Sequence, residues 1–517
     1  MRITNKIIQN NNLSNINTNK IYQDRLSTQM STQKKVNRPS DDPVVAIRAL
    51  RLRSSVTEVT QYYSKNIPDA ESWLNVTEDA LNNLTQIITN MISQCTKGSN
   101  GDLTSSDRQI ILEQLKALSE EVYSTGDADY AGRYVFTGYR TDTSLSFQDP
   151  QTLRYDITEQ IDNTVLESIT KVNMGELLDI NSSNYNRVNV TEDDISSVEV
   201  YRIQLSYEDC YGDADAAPSI SFQVEDPATG QYNWEVWDVA GGEITIMHAS
   251  DRNPDPYTQA ANDPDAVIYV PETGEMLLGS NRYETLMAVK DNGTTVANEG
   301  EIRVSYQKEN WVKGDLRPEH YFACEAGGIR YNADYLTGNA QRQNIEYDVG
   351  FNQTIQVNST ADECFQHGIG RTADDLVNAM QEVVDIETLI TELETLKESA
   401  TGADAERLQT QLDAANKALT FSRDKCQRLF EKGITVFQGY LNDANLSITD
   451  CGTRSSKLEL IDNRMQNQKT TFETLKSQNE DVDITEVIIQ LTSAELTYQA
   501  ALMATGKVTQ NTLLNFI

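Results

Sequence analysis

The last helical segment of the chain, from Asp483 onward, carries apolar side chains on two separate faces. Ile484, Val487, Ile488, Leu491, Ala494, Tyr498, Ala501 and Leu502 follow one helical stripe, while Ile489, Leu496 and Met503 repeat every seven residues on another face. One stripe is enough for a helix packed on its own domain. Two stripes predict neighbours on two sides, and a chain with helical ends has only its other end to offer as an internal partner. The second seam therefore points to other copies or other proteins. Burial of both stripes in a larger intramolecular bundle is the alternative.

The other end of the chain supplies a partner. The stretch Arg2 to Gln33 has neither Gly nor Pro; Ile8, Ile16, Tyr22, Leu26 and Met30 fall in one sector of a helix, and Ile3, Ile7 and Ile21 in another. The helix is interrupted at Val36-Asn37-Arg38-Pro39-Ser40 and restarts at Asp42-Pro43, an acidic N-cap with Pro at the first helical position. Trp73, Val76, Ala80, Leu84, Ile87 and Met91 then recur at coiled-coil-like spacing, with Pro68 predicting a kink or a split. A Gly/Ser/Asn turn leads to an expected capping box at Ser106 to Gln109. Helix returns at Thr372, turns at Thr401-Gly402, and shows an a/d pattern in Leu458, Ile461, Met465, Phe472, Leu475 and Val482. The last helix starts from a capping box at Asp483 to Glu486.

Between these ends the period changes to two. Tyr201, Ile203, Leu205 and Tyr207 alternate, as do Ile220, Phe222 and Val224, then Trp234 and Val236; Pro271-Glu272-Thr273-Gly274 separates two apolar runs as a turn. Ile345 to Asn358 reads as a strand pair that completes a hairpin begun at Tyr134. The expected fold is α+β and multidomain. Long coiled-coil-like helices form from paired N- and C-terminal segments, and a β-rich outer region is inserted between them. Residues 1–40 and 483–517 form the inner helices, 41–149 and 344–482 a helical bundle with β-hairpins, and 150–343 a self-contained variable β-rich region.

Charge narrows the partners. The chain has 517 residues and a net charge of −35, which repels phosphate backbones and anionic lipid, so neither nucleic acid nor membrane is expected. Up to Thr60, however, ten basic residues face four acidic ones. A basic end on an acidic body suggests intermolecular pairing, and a solvated charged face is the other reading. The first nineteen residues contain seven Asn and form no apolar leader core, so export is expected to use another route. Six scattered cysteines show no ligand spacing and are expected as free thiols. The three histidines, His248, His320 and His367, share no metal spacing, and no nucleotide, hydrolase or zinc-protease motif is present. No catalytic residue, metal or cofactor is therefore assigned.

Lys34-Lys35-Val36-Asn37-Arg38-Pro39-Ser40-Asp41-Asp42-Pro43, followed by Ala46, Arg48 and Ala49, resembles the N-terminal signature of the bacterial flagellin superfamily. The wording of Arg38, Pro39, Ser40, Asp41, Asp42 and Pro43 is closer to the hook–filament junction branch than to flagellin itself. Asn66, Ala70, Trp73-Leu74 and Gly132 to Tyr139 continue the likeness, as do Asn463-Arg464, Asn479-Glu480-Asp481, Ala500-Ala501-Leu502 and Leu513 to Ile517. The resemblance implies a structural flagellar subunit that self-associates in a tubular ring and joins hook to filament, with a neighbouring hook-associated protein and flagellin as partners. It also implies unfolded export through the flagellar type III apparatus, with a chaperone on the C-terminal helices. The assembly interface is expected at Ile3, Ile7, Ile8, Ile16, Leu26 and Met30 in the first helix. In the last helix it takes Ile484, Val487, Ile488, Ile489, Leu491, Leu496, Tyr498, Leu502 and Met503. A bulk filament subunit is the second reading, and an enzyme displayed on a flagellar scaffold the third. The segment from Glu387 to about Cys451 exceeds the family's compact equivalent, which predicts extra packed helices there.

Overall fold

The structure, a computed structural model, describes residues 5–101, 103–213, 215–225, 229–252, 254–289, 301–337 and 343–510. Ile3 and the closing segment Leu513 to Ile517 lie outside the described residues.

Helices lead the chain: α1 (Asn5–Thr32), α2 (Pro43–Gln61), a π-helical turn (Tyr62–Asn66), α3 (Ile67–Gly98) and α4 (Ser105–Gly126). The strands β1 (Asp129–Tyr130), β2 (Arg133–Tyr134), β3 (Gln151–Ile161), β4 (Glu167–Asn173), β5 (Ser196–Gln204), β6 (Ser219–Glu225), β7 (Tyr232–Asp238) and β8 (Thr245–Ile246) follow. Then come α5 (Pro256–Asn262), β9 (Val267–Val270), β10 (Glu275–Leu278), α6 (Ser280–Met287), β11 (Ile302–Trp311), β12 (Ala323–Ala326) and β13 (Ile329–Tyr331). A hairpin of β14 (Glu346–Gly350) and β15 (Gln353–Gln356) precedes α7 (Ala361–Cys364), α8 (His367–Ser399), α9 (Ala403–Glu480) and α10 (Ile484–Gln510). The chain packs as two compact units. One comprises Met1–Glu71, Tyr347–Ile355 and Ser456–Ile517, the other Ser72–Glu346 and Gln356–Ser455.

In the first unit α1 lies antiparallel on α10. Leu26, Val487 and Ala494 are buried between them, with Val482 and Leu491 packed alongside. Hydrogen bonds from Tyr22 to Gln490 (3.4 Å) and from Gln23 to Glu495 (3.5 Å) set the register. Asp42 caps α2 as its sequence suggests, accepting from the Val44 and Val45 amides at 3.0 and 3.1 Å. Pro68 neither splits the helix nor breaks it. The π turn comes just before it, with the Ile67 amide bonded to the Tyr62 carbonyl. A proline ring crowds the preceding turn and donates no N–H, and widening that turn by one residue accommodates both. The β14–β15 hairpin packs here too: Asn66 donates to the Asp348 carbonyl (2.7 Å), and Tyr62 meets Phe351 edge-on at 5.7 Å.

The second unit buries Trp73, Leu84, Met91, Leu115, Leu376, Val383, Phe430 and Phe437 among its helices. Gly98 marks the closest approach, since a Cβ there would sit 2.3 Å from the Phe430 ring. The capping box of α4 is Thr104 with Asp107, two residues before the expected one: the Asp107 amide donates to the Thr104 hydroxyl and the Thr104 amide to the Asp107 carboxylate (3.2 and 3.1 Å). Thr and Asp make the same reciprocal pair as Ser and Gln, and the earlier pair wins because the helix begins at Ser105. Strands form a six-stranded antiparallel sheet, β13-β12-β3-β11-β6-β7, and a five-stranded sheet, β4-β5-β10-β9-β8, whose β8–β9 pair is parallel. β2 pairs with β1, and β14 with β15. The expected completion of the Tyr134 hairpin by 345–358 is therefore not made. Residues flanking the pair meet that turn instead: the Ala361 amide donates to the Phe136 carbonyl (3.0 Å) and the Tyr139 amide to the Gln343 side chain (3.0 Å).

The β-rich insertion is not self-contained. Leu177, Ile180, Val190 and Ile195 share one buried cluster with Ile386, Leu389 and Leu393 of α8 and Leu408 and Leu412 of α9. This is the use of the long segment after Glu387: two helices extended to receive the insertion. Arg202 of β5, buried, pairs with Glu167 of β4 (2.7 Å), Glu275 of β10 and Asp375 of α8. A buried guanidinium is tolerable only when so surrounded. All six cysteines are free and buried, and burial pushes the thiols of Cys95, Cys210, Cys324, Cys364 and Cys426 up to about 12.

Candidate assembly interface

The family-like segment Lys34 to Pro43 is built into a clasp around the end of α9. Gln33 takes a left-handed turn (φ 58°) that ends α1. Behind it the Val482 amide donates to the Gln33 carbonyl (3.1 Å) and the Lys35 amide to the Glu480 carbonyl (2.8 Å), a short antiparallel bridge between Lys34 and Asp481. Asn479 donates its side-chain amide to the Val45 carbonyl (3.1 Å), and Lys35 Nζ reaches the Gln478 carbonyl (2.7 Å).

Charge closes the clasp. Glu480 has only 4% of its side chain exposed, and Arg53 of α2 grips it with two bonds, Nε to Oε1 at 2.6 Å and Nη2 to Oε2 at 2.7 Å. Lys34 Nζ lies 2.5 Å from Asp481 Oδ1 and 3.4 Å from Glu480 Oε2. The bonds from Arg53 hold the Glu480 carboxyl below the usual range, and those from Lys34 and Ser477 do the same for Asp481. The Lys34 ammonium is raised in turn by Asp481. Part of the basic excess near the N-terminus is thus spent within the chain.

The signature itself mostly faces solvent. Arg38, Pro39, Ser40, Asp41 and Pro43 are exposed and Asp42 is half-buried. Asp41 Oδ2 accepts from the Arg38 amide (3.1 Å), so the motif folds its own turn and presents α2. Sequence reasoning missed Arg53, Lys34 and Glu480 as partners. The available signal was the acid pair Glu480-Asp481 at a helix break, opposite a basic segment.

The two stripes of α10 have different surroundings. From the first, Val487 and Ala494 are buried against α1, Leu491, Tyr498 and Ala501 are half-buried, and Ile484, Ile488 and Leu502 are exposed. α1 is rich in asparagine and too thin in apolar area to cover the whole stripe. From the second, Ile489, Leu496 and Met503 are 65%, 63% and 68% exposed. On α1, Leu26 is buried and Ile16 half-buried, whereas Ile7, Ile8 and Met30 are exposed. Among the described residues no three His, Cys, Asp or Glu side chains gather as a metal site, and no helix is long and apolar enough to cross a membrane.

Residues 3–141 match the family model described as the bacterial flagellin N-terminal helical region. The chain thus carries a flagellin-type N-terminal region. Flagellar hook-associated protein 3 of Salmonella typhimurium is 29% identical over 145 residues, 28% of this chain and 45% of that protein. The match therefore spans less than half the length of that relative. A flagellin of Clostridium tyrobutyricum is 27% identical over 122 residues, 24% of this chain and 32% of that one. Among solved structures, flagellar hook-associated protein 3 of Legionella pneumophila is similar at 11% identity, with a TM-score of 0.27 over 82% of this chain and 98% of its own.

Proposed function

We propose that this chain is a structural subunit of the bacterial flagellum that assembles at the junction between hook and filament. The observation that carries the proposal is the α10 helix. One of its faces is paired with α1, and a second apolar face, Ile489, Leu496 and Met503, is left open at a seven-residue repeat. The flagellin-type N-terminal region and the likeness to hook-associated protein 3 supply the context. On this reading the open seam takes further copies in a ring and the neighbouring hook-associated protein and flagellin. The subunit leaves the cell through the flagellar type III apparatus, with a chaperone shielding its C-terminal helices beforehand. It performs no catalysis.

The likeness to a flagellin favours a second reading, the bulk filament subunit. A deletion strain separates the two. Loss of a junction subunit leaves bare hooks while flagellin accumulates in the medium. Loss of the filament subunit leaves the medium free of flagellin, and that result would overturn the junction proposal.

A further inference from the structure

The six-stranded sheet has one buried face and one polar face. On the buried side lie Ile220, Phe222, Trp237, Ile302, Val304 and Tyr306. The pairing register puts the alternate residues on the other side: Val236 opposite Ser221, Ser221 opposite Arg303, and Arg303 opposite Gln160; one step along, Trp234 lies opposite Gln223. Small hydroxyls and amides dominate this face, and Thr158 and Ser305 bond each other across it at 3.0 Å. At its β7 edge stand two exposed aromatics, Tyr232 and Trp234, exposed by 39% and 40%.

We propose that this edge of the sheet binds a neutral polysaccharide, with Trp234 and Tyr232 as stacking platforms and the hydroxyl of Ser221 beside them as a hydrogen-bonding partner for sugar hydroxyls. Large aromatic side chains ordinarily bury their area, and Trp73, Trp237 and Trp311 do so here. Trp234 instead is held in place from one side by the Arg303 guanidinium, 4.1 Å from its ring centroid. A ring fixed in this way loses little freedom when a ligand stacks on it. Arg303 in turn donates to the Leu336 carbonyl (2.9 Å), and Gln160 to the Tyr335 carbonyl (2.9 Å), so the segment Ala333–Thr337 anchors the far side of the platform. Two residues along a strand separate Tyr232 from Trp234 by about 6.7 Å, so neighbouring sugar rings of one chain can each find an aromatic.

Charge selects the class of ligand. Glu225 lies opposite Tyr232 on the same face, and the net charge of −35 repels acidic polymers. A second copy meets a local obstacle at this edge. Two β7 edges paired antiparallel in full register would set Glu235, the central residue of the strand, against itself. A hydroxyl-rich, uncharged chain meets neither obstacle.

The test is affinity electrophoresis of the full chain through gels containing dextran, yeast mannan, laminarin or hydroxyethyl cellulose, with alginate as the acidic control. At least one neutral polymer should retard the chain, and Trp234→Ala should weaken that retardation by about tenfold or more. Trp234→Phe should restore part of it, Tyr232→Ala should weaken it, and Val312→Ala, at an exposed site elsewhere, should leave it unchanged. An unchanged melting temperature for Trp234→Ala separates lost binding from lost folding. The inference fails if none of the four neutral polymers retards the chain, or if alginate alone does. It fails equally if the variants at Trp234 and Tyr232 migrate as the parent, or if Trp234→Ala abolishes a concentration-dependent dimer without changing retardation.

Discussion

Arg53 and Glu480 show how one ion pair can matter at a surface where most do not. Glu480 is buried and Arg53 is about half-exposed, so removing either partner is not symmetrical. Arg53→Ala leaves the buried carboxylate with only the longer contact to Lys34 and should cost about 1–2 kcal/mol in urea unfolding, after allowance for solvent screening of the arginine. Glu480→Gln leaves a guanidinium that water can reach and should cost less. Because the carboxyl of Glu480 is lowered from 4.5, its contribution is fully present above that pH and is lost as pH falls through the lowered value. Asp374 on α8 behaves in the opposite sense. Burial, then Glu208, raise its carboxyl to about 7, with Asp375 and Asp315 adding to the effect and Arg371 opposing it. The folded state therefore favours the protonated acid, and stability should fall as pH rises from about 4 to 7. Asp374→Asn should remove that slope and stabilise the chain at pH 8 by roughly 2–4 kcal/mol, as read from urea melts at pH 5 and 8. The sequence offered the Asp42 cap and the free thiols plainly, because both are local. It could not offer Arg53–Glu480, whose partners are 427 residues apart.

At the scale of elements, helix and strand followed directly from periodicity, since the apolar spacing of α3, α9 and α10 and the alternation of β5, β6 and β7 reflect which faces are buried. Two details were decided by physics that periodicity does not encode. The cap of α4 moved to Thr104 because reciprocal hydrogen bonding, rather than the first apolar residue, sets a helix start. The kink expected at Pro68 became a widened turn upstream. The second face of α10 carries the functional prediction. Leu496→Asp should abolish self-association in light scattering while shifting the melting temperature by less than about 2 °C, because the side chain already lies in solvent. A large fall in melting temperature would mark Leu496 as core.

Across the whole molecule, the insertion was recognisable as β-rich but its dependence on the helices was not. Strand alternation reveals which residues turn inward, not which distant helix receives the flanking loops. Replacing 150–343 by a short linker should therefore expose Leu389, Leu393, Leu408 and Leu412, at about 1.5–3 kcal/mol for each large side chain, and the product should aggregate in size-exclusion chromatography. Polar substitutions at those four leucines should restore solubility. The buried cysteines have a bearing on timing. Six thiols shut inside a folded chain cannot be oxidised or alkylated there, yet every one is available in the unfolded chain. Ellman's reagent should detect none of them in the native protein and all six in denaturant. If the chain does travel unfolded into an oxidising exterior, its folding is a race against disulfide chemistry, and the extent of thiol modification becomes a clock that records how long each molecule waited before it found its place.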